Sequence, residues 1–366
     1  MNLFDLDTPA LVIDLDKVEA NIAEMAAVTR AAGVRLRPHT KTHKVPELAQ
    51  MQVAAGASGI TCAKVGEAEV MVDAGIDDVL VAYPIYGPAK WSRLAALRER
   101  ARIIVSLDSL EVAQGLGTVG LQGNGPLEVY VEVDTGHHRM GRAPGAPTAD
   151  LVQRIANVPG LEVIGLLTHA GHAYGAPTLD ERDRVVAREV EDLVRTKELC
   201  AQFGINLHEI SVGSTPSARR EAQHSAQGVT EVRPGTYIFN DTAMVSLGVA
   251  TYDTCAAFVL ATVVSRPAQD RFVIDAGTKC FTSDGVGRPD WIKVAGWDDL
   301  TMEFTTEEHG VGVINPDAGG RLEIGDKLLL IPSHVCPVFN LFDSVHVARS
   351  GEVHDEWVVK GRGKVR

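Results

Sequence analysis

Over the first two thirds of the chain, short β-forming runs recur, and most of the stretches between them carry the apolar spacing of helices. Strands fit "VRLRP" (34–38), "GITCA" (59–63), "DVLVAYP" (78–84), "RIIVSLD" (102–108), "LEVYVEVD" (127–134), "EVIGLLTHA" (162–170), "EISVGS" (209–214) and "TEVRPG" (230–235). Helices fit 18–33, 64–75, 146–158 and 179–204, the first two closing on Gly33 and Gly75 as C-caps. Eight strands alternating with helices predict an α/β fold, a (β/α)8 TIM-like barrel. An open doubly wound sheet is the other arrangement this alternation permits.

Past about residue 250 the texture changes. "TCAAFVLATVVSRP", "DRFVIDAG", "WIKVAGW", "LTMEFTTEEHGVGVI", "DKLLLIPSHVCPVF", "SVHVARSG" and "EWVVKG" read as strands joined by Gly, Pro and Asp turns, an all-β C-terminal domain. The opening strand "TPALVIDLD" (8–16) is assigned with it. The expected division is therefore a barrel over 18–249 and a β domain of 1–17 plus 250–366.

The stretch "GVRLRPHTKTHK" (33–44) departs from the rest. Read as a strand, it puts Val34, Leu36 and Pro38 on one face and Arg35, Arg37, His39, Lys41 and His43 on the other. The whole chain carries a formal charge of −13, which excludes a general polyanion-binding surface for nucleic acid or anionic membrane. Five potential cations in a row then point to a local anion site. In a barrel this face lines the interior and rises toward the C-terminal end, where active sites sit. A lysine crowded by cations has its neutral amine favoured, which suits a Schiff-base nucleophile. An exposed basic edge strand is the plainer alternative.

Other strand ends share this character. "VDTGHHRMG" ends in Asp134, Gly136 and Arg139, and "LLTHAGHAYG" in His169 and His172. The turn "SVGSTPS" (Gly213, Ser214, Thr215) and the turn "RPGTYIFND" (Gly235, Tyr237) offer amides and hydroxyls to a phosphate, after the last two barrel strands where this fold binds one. In "PSHVCPVFN", His334 and Cys336 point the same way on a strand and are both ligands for zinc. Alone, such a pair is more often a packed histidine beside a buried thiol. The cysteines Cys62, Cys200, Cys255, Cys280 and Cys336 form no CxxC pair. With no signal-peptide pattern and no apolar run long enough for a bilayer, reduced thiols in a cytoplasmic protein are expected.

Taken together, "DTPALVIDLD", "RPHTKTHK", "DTGHHRMG", "THAGHAYG", "GSTPS", "RPGTYIFND", "DAGTK", "EEHG" and "PSHVCPVFN", in this order over nearly the whole chain, resemble fold-type III pyridoxal-phosphate enzymes of the D-threonine aldolase and D-serine dehydratase group. The resemblance implies a barrel plus β domain, a homodimer, and a D-3-hydroxy amino acid as substrate. It assigns Lys41 to the Schiff base with pyridoxal 5'-phosphate, and Arg139 to the cofactor's phenolic oxygen. It also implies cofactor contacts from His169, Gly213, Ser214, Thr215, Gly235 and Tyr237. His334 and Cys336 become the pair for a divalent metal, zinc favoured by the thiolate, with manganese or magnesium as hard alternatives. Aldolases of the group often carry an acidic residue where this chain has Cys336, so His-x-Cys leans the expected reaction to dehydration. Retro-aldol cleavage is the alternative. An amino-acid racemase, a non-enzymatic pyridoxal-phosphate carrier and a zinc hydrolase using His309 or His169 are the readings of other classes.

Overall fold

The computed structural model describes residues 1–176, 178–285, 290–315 and 322–366. After a 3-10 turn at Leu3–Asp5 come strand β1 (Ala10–Asp14) and helix Leu15–Ala32, which ends where Gly33 takes a left-handed φ of 68°, as its C-cap position predicts. Two compact units follow from the contacts: Ala23–Lys41, Pro46–Gly235 and Lys364–Arg366 form one, and Met1–Ile22, Thr42–Val45 and Thr236–Gly363 the other. Residues 18–22, 42–45 and 236–249, placed with the barrel in the sequence reading, lie in the second unit, and 364–366, placed with the β domain, lie in the first.

The first unit is the barrel. Its strands are β2 (Arg35–Leu36), β3 (Ile60–Cys62), β4 (Asp78–Val81), β5 (Arg102–Leu107), β6 (Leu127–Glu132), β7 (Leu161–Leu167), β8 (Glu209–Val212) and β9 (Glu231–Val232). They are parallel throughout and follow the order β2-β9-β8-β7-β6-β5-β4-β3. A parallel bridge between His39 and Thr61 joins the two ends of that order and closes the ring. Five consecutive residues of β5 are buried, as expected of strands covered on both faces. Helices Pro46–Ala54, Pro88–Arg98 and Leu110–Gly120 complete the alternation. The first strand is shorter than its alternation suggests, because the chain turns into a 3-10 helix at Thr40–Thr42. His43 therefore leaves the face shared by Arg35 and Arg37.

The second unit is antiparallel apart from one pairing. Its strands after β1 are β10 (Ala257–Ala268), β11 (Arg271–Ile274), β12 (Lys293–Val294), β13 (Leu300–Thr305), β14 (Gly310–Ile314), β15 (Lys327–Ile331), β16 (Ser344–Arg349) and β17 (Glu352–Val358). The long β10 pairs β15 with its first half and β11 with its second, so β10, β11, β14, β13, β12 and β15 close on themselves. β1 lies between β10 and β16, antiparallel to the former and parallel to the latter. The N-terminal strand thus belongs to the sheet of the C-terminal domain. Among the described residues, no helix is long and apolar enough to cross a membrane.

Candidate active site

The barrel unit gathers its buried charges at one run of strands. Arg37, on the short extension after β2, gives Nε to Glu231 Oε2 at 2.7 Å and also pairs with Asp78. Ser211 Oγ donates to Glu231 Oε1 at 2.6 Å and accepts from Arg233 Nη1 at 2.5 Å. Arg233 Nη2 then reaches the Thr168 carbonyl. Burial alone would raise the Glu231 carboxyl, but Arg37 and these hydrogen bonds outweigh it and hold it below its usual range. The cations of the opening strand are therefore met by carboxylates, as a desolvated charge requires.

Lys41 sits in the 3-10 turn that follows, half-buried. Its backbone N–H donates to His39 Nδ1 at 3.4 Å. His169, just past β7, donates Nδ1–H to the Gly213 carbonyl at 3.1 Å. Burial first, and then the Lys41 charge, hold both imidazoles well below their ordinary range. Both rings are neutral at pH 7. The Gly213 bond fixes the tautomer of His169 and leaves its Nε2 an acceptor. Arg139, past β6 and half-exposed, pairs with the buried Glu132 at 3.6 Å. Burial raises the Glu132 carboxyl, and Arg139 opposes that rise. Glu132, Arg139, His137, Thr168 and His169 line one cleft.

Gly213, Ser214 and Thr215 form a buried turn after β8. Ser214 N–H bonds Ser217 Oγ at 3.2 Å, the two serine hydroxyls lie 2.7 Å apart, and Ala218 N–H closes onto the Ser214 carbonyl. Gly213 has φ +124°, and a Cβ there would come within 2.7 Å of the Arg233 backbone nitrogen. Gly213→Ala is therefore expected to lose about 2 kcal/mol of stability, from left-handed strain and a backbone clash together. A melting temperature equal to that of the unmodified protein would contradict this. Gly235 is the last barrel residue of this stretch, and Tyr237 lies in the 3-10 turn Thr236–Ile238 of the other unit. The glycine turn, the hydroxyls, Lys41 and Arg139 together fit an anionic aldehyde cofactor: an amine to bind it and cations and small turns to neutralise it.

The other unit carries His334 and Cys336, and here the sequence reading is corrected. They are not on a strand. His334 is the N-cap of helix Val335–Phe339, and Cys336 lies in its first turn. The helix is held by Asp241, whose Oδ2 accepts Val335 N–H at 3.1 Å while Oδ1 accepts Met244 N–H at 3.0 Å. One carboxylate thus caps two short helices. Phe339 stacks on Phe239 with ring centroids 4.5 Å apart and fixes the helix from below. Cys336 Sγ contacts Thr42 Oγ1 at 3.2 Å, and His334 Nδ1 lies 2.9 Å from Asp284 Oδ2. Burial opposes a charge on His334, yet Cys336, Asp241 and Asp284 win and push its imidazole up to about 9. That negative field, with an imidazole and a thiol on one helical turn, fits a divalent cation. Among the described residues no group of three His, Cys, Asp or Glu forms a full ligand set, so water or substrate would complete the shell.

The remaining residues sort plainly. His138 is exposed and bonds Asp134, closing its own turn. His137 packs edge-on to His169 with centroids 5.7 Å apart. Asp343 pairs with Arg362 as a turn residue. Cys62, Cys200, Cys255 and Cys280 are buried thiols, all raised by burial, whereas Cys336 is partly exposed. The sequence reading missed Arg233, Asp241 and Asp284. Arg233 stood in the quoted "RPG" but only its glycine was singled out.

The family model "Alanine racemase, N-terminal domain" matches residues 13–243, and the model "Putative serine dehydratase domain" matches 256–348. The chain is 38% identical to a D-threonine aldolase of Arthrobacter sp. over 98% of this chain and 93% of that one. The solved structure of a D-threonine aldolase from Filomicrobium marinum superposes with a TM-score of 0.93 at 34% identity, covering 100% and 98%. A D-threo-3-hydroxyaspartate dehydratase of Delftia sp. is 35% identical over 91% and 92%. Two solved variants of a D-threo-3-hydroxyaspartate dehydratase, which fit with TM-scores of 0.87 and 0.88, replace a cysteine and a histidine two positions apart, and the cysteine variant is in a metal-free form.

Proposed function

The chain belongs to the family that joins an alanine racemase N-terminal domain to a D-serine dehydratase domain, and on that premise we propose a pyridoxal-phosphate-dependent lyase that converts D-3-hydroxy amino acids to 2-oxo acids and ammonia. The observation that favours dehydration is the His334–Cys336 pair, whose two-residue spacing is that of the residues replaced in the solved dehydratase variants.

The cofactor supplies an electron sink for the pair left at Cα, and a divalent cation supplies a Lewis acid for the 3-hydroxyl. Lys41 anchors the former and accepts the Cα proton. Gly213, Ser214, Thr215, Gly235 and Tyr237 take the phosphate, and Arg139 the ring oxygen. His39 and His169 stay uncharged near Lys41. They therefore hold polar groups in place without adding charge next to the base. His334 and Cys336 take the cation, zinc by the softness of the thiolate. Loss of the Cα proton and the Cβ hydroxyl leaves an unsaturated amine, which tautomerises and takes up water to give the 2-oxo acid and ammonia. The homodimer and cytoplasmic location implied by the resemblance belong to the same proposal.

D-threonine separates the two reactions. With pyridoxal phosphate and zinc or manganese present, 2-oxobutanoate and ammonia are expected. The Arthrobacter and Filomicrobium aldolases favour the second reading, in which a base takes the hydroxyl proton and the Cα–Cβ bond breaks. Glycine and acetaldehyde as products would establish that reading and overturn dehydration.

A further inference from the structure

Glu189 and Glu221 form a buried pair that neither the cofactor nor the metal uses. Glu189 lies on the long helix Leu179–Gln202, and Glu221 ends the short helix Ala218–Glu221. Both are 0% exposed. Their carboxyls are within hydrogen-bonding reach of each other. Yet none of their four oxygens has a well-formed hydrogen bond from a donor among the described residues. Carboxylate oxygens only accept, so two of them facing each other without a donor need a proton between them.

Two other groups face the pair. Ser217 lies beside Glu221, but its hydroxyl is engaged with Ser214. Arg233 acts on both carboxyls from the end of β9, but its own N–H groups go to Ser211 and Thr168. One guanidinium, also shared with Glu231 and Glu132, does not neutralise two buried carboxylates.

The pair touches the glycine turn directly. Glu221 Oε2 lies 3.4 Å from the position a Cβ on Gly213 would take, and Glu221 N–H bonds the Ser217 carbonyl at 2.9 Å. We infer that Glu189 and Glu221 share a proton, and that this proton holds the Gly213–Ser217 turn in its phosphate-binding shape. The second half of this rests on the reading of that turn as the cofactor's phosphate site. Glu189 and Glu221 are then positioning residues. Losing the proton sets two charges against each other beneath the turn and opens it.

The direction with pH follows. Burial raises both groups above 4.5: Glu221 goes to about 7 although Ser217, Glu189 and Arg233 act against the rise, and Glu189 is raised further by Glu221. The folded state then binds more protons than the unfolded one above pH 4.5, so the pair's contribution to stability falls as pH rises through 7.

The test uses Glu221→Gln and the double variant Glu189→Gln/Glu221→Gln, which keep the shape and remove the titration. Thermal unfolding is followed from pH 5 to 9 without cofactor, and the binding of pyridoxal phosphate and of pyridoxal is measured at the same pH values. Relative to the double variant, the wild-type protein is expected to lose melting temperature progressively as pH rises from 5 to 9. Its pyridoxal phosphate affinity should fall by up to about tenfold per pH unit relative to that variant, while pyridoxal affinity does not. Parallel melting curves for wild type and both variants would overturn the shared proton. Diverging melting curves with pyridoxal phosphate affinities that stay parallel would keep the proton and reject the turn as the phosphate site. If the double variant does not fold, the comparison of Glu221→Gln with wild type decides the same two points.

Discussion

Lys41→Ala is expected to reduce turnover by about 10⁴-fold or more, since one side chain is asked both to anchor the cofactor and to move the Cα proton. The fold should survive the change. Lys41 is half-buried in a short turn whose neighbours are held independently: Thr40 Oγ1 donates to the Thr61 carbonyl at 3.1 Å, and Thr42 contacts Cys336. A melting temperature close to wild type would then accompany the loss. The variant also removes the cation that depresses His39 and His169. Both imidazoles should titrate at higher pH, which NMR of the histidine rings would read without any turnover. Borohydride trapping should place the cofactor on the peptide containing Lys41 in the wild type and on no peptide in the variant. Turnover retained by Lys41→Ala would remove the assignment altogether.

Cys336→Ala carries the second large effect. Removing one of the two proposed protein ligands is expected to weaken divalent-cation binding by about 100-fold or more, since even outer-shell partners are worth about 10- to 100-fold. Hydroxyl elimination should fall with it, while cofactor retention stays at the wild-type level. Cys336→Asp keeps an anionic ligand but makes it hard, and should move the preferred cation from zinc toward manganese. Activity titrations against both metals check this. Unaltered metal dependence in Cys336→Ala would place the ion elsewhere.

How much of this the sequence carried depends on the element. All eight barrel strands were legible, because parallel strands sheathed in helices are written as local apolar runs. Their ends were less so. The run at 33–44 reads as one continuous strand, but the ladder stops at Leu36 and the chain turns at Thr40. The helix at Val335–Phe339 was read as strand for a related reason. "LLLIPSHVCPVF" is β-rich, and the feature that makes its end helical is Asp241, far away in sequence. A cap supplied by a distant residue leaves no local pattern. Lys41, Arg139 and the glycine turn were visible because their motifs are contiguous. The Arg37–Glu231–Ser211–Arg233 chain was not, since only the closed ring brings β2, β8 and β9 together.

The place of β1 sets an order on biosynthesis. This apolar strand leaves the ribosome before every barrel strand, yet its partners are β10, after residue 256, and β16, after residue 343. The barrel strands between them can find one another while translation continues. Through that interval Ala10–Asp14 remains a strand without neighbours on either edge, the sort of segment that pairs with the wrong chain and that chaperones cover. A chain halted before residue 344 lacks the strand that flanks β1 on one side, so a strand made after the barrel completes the shelter of one made before it.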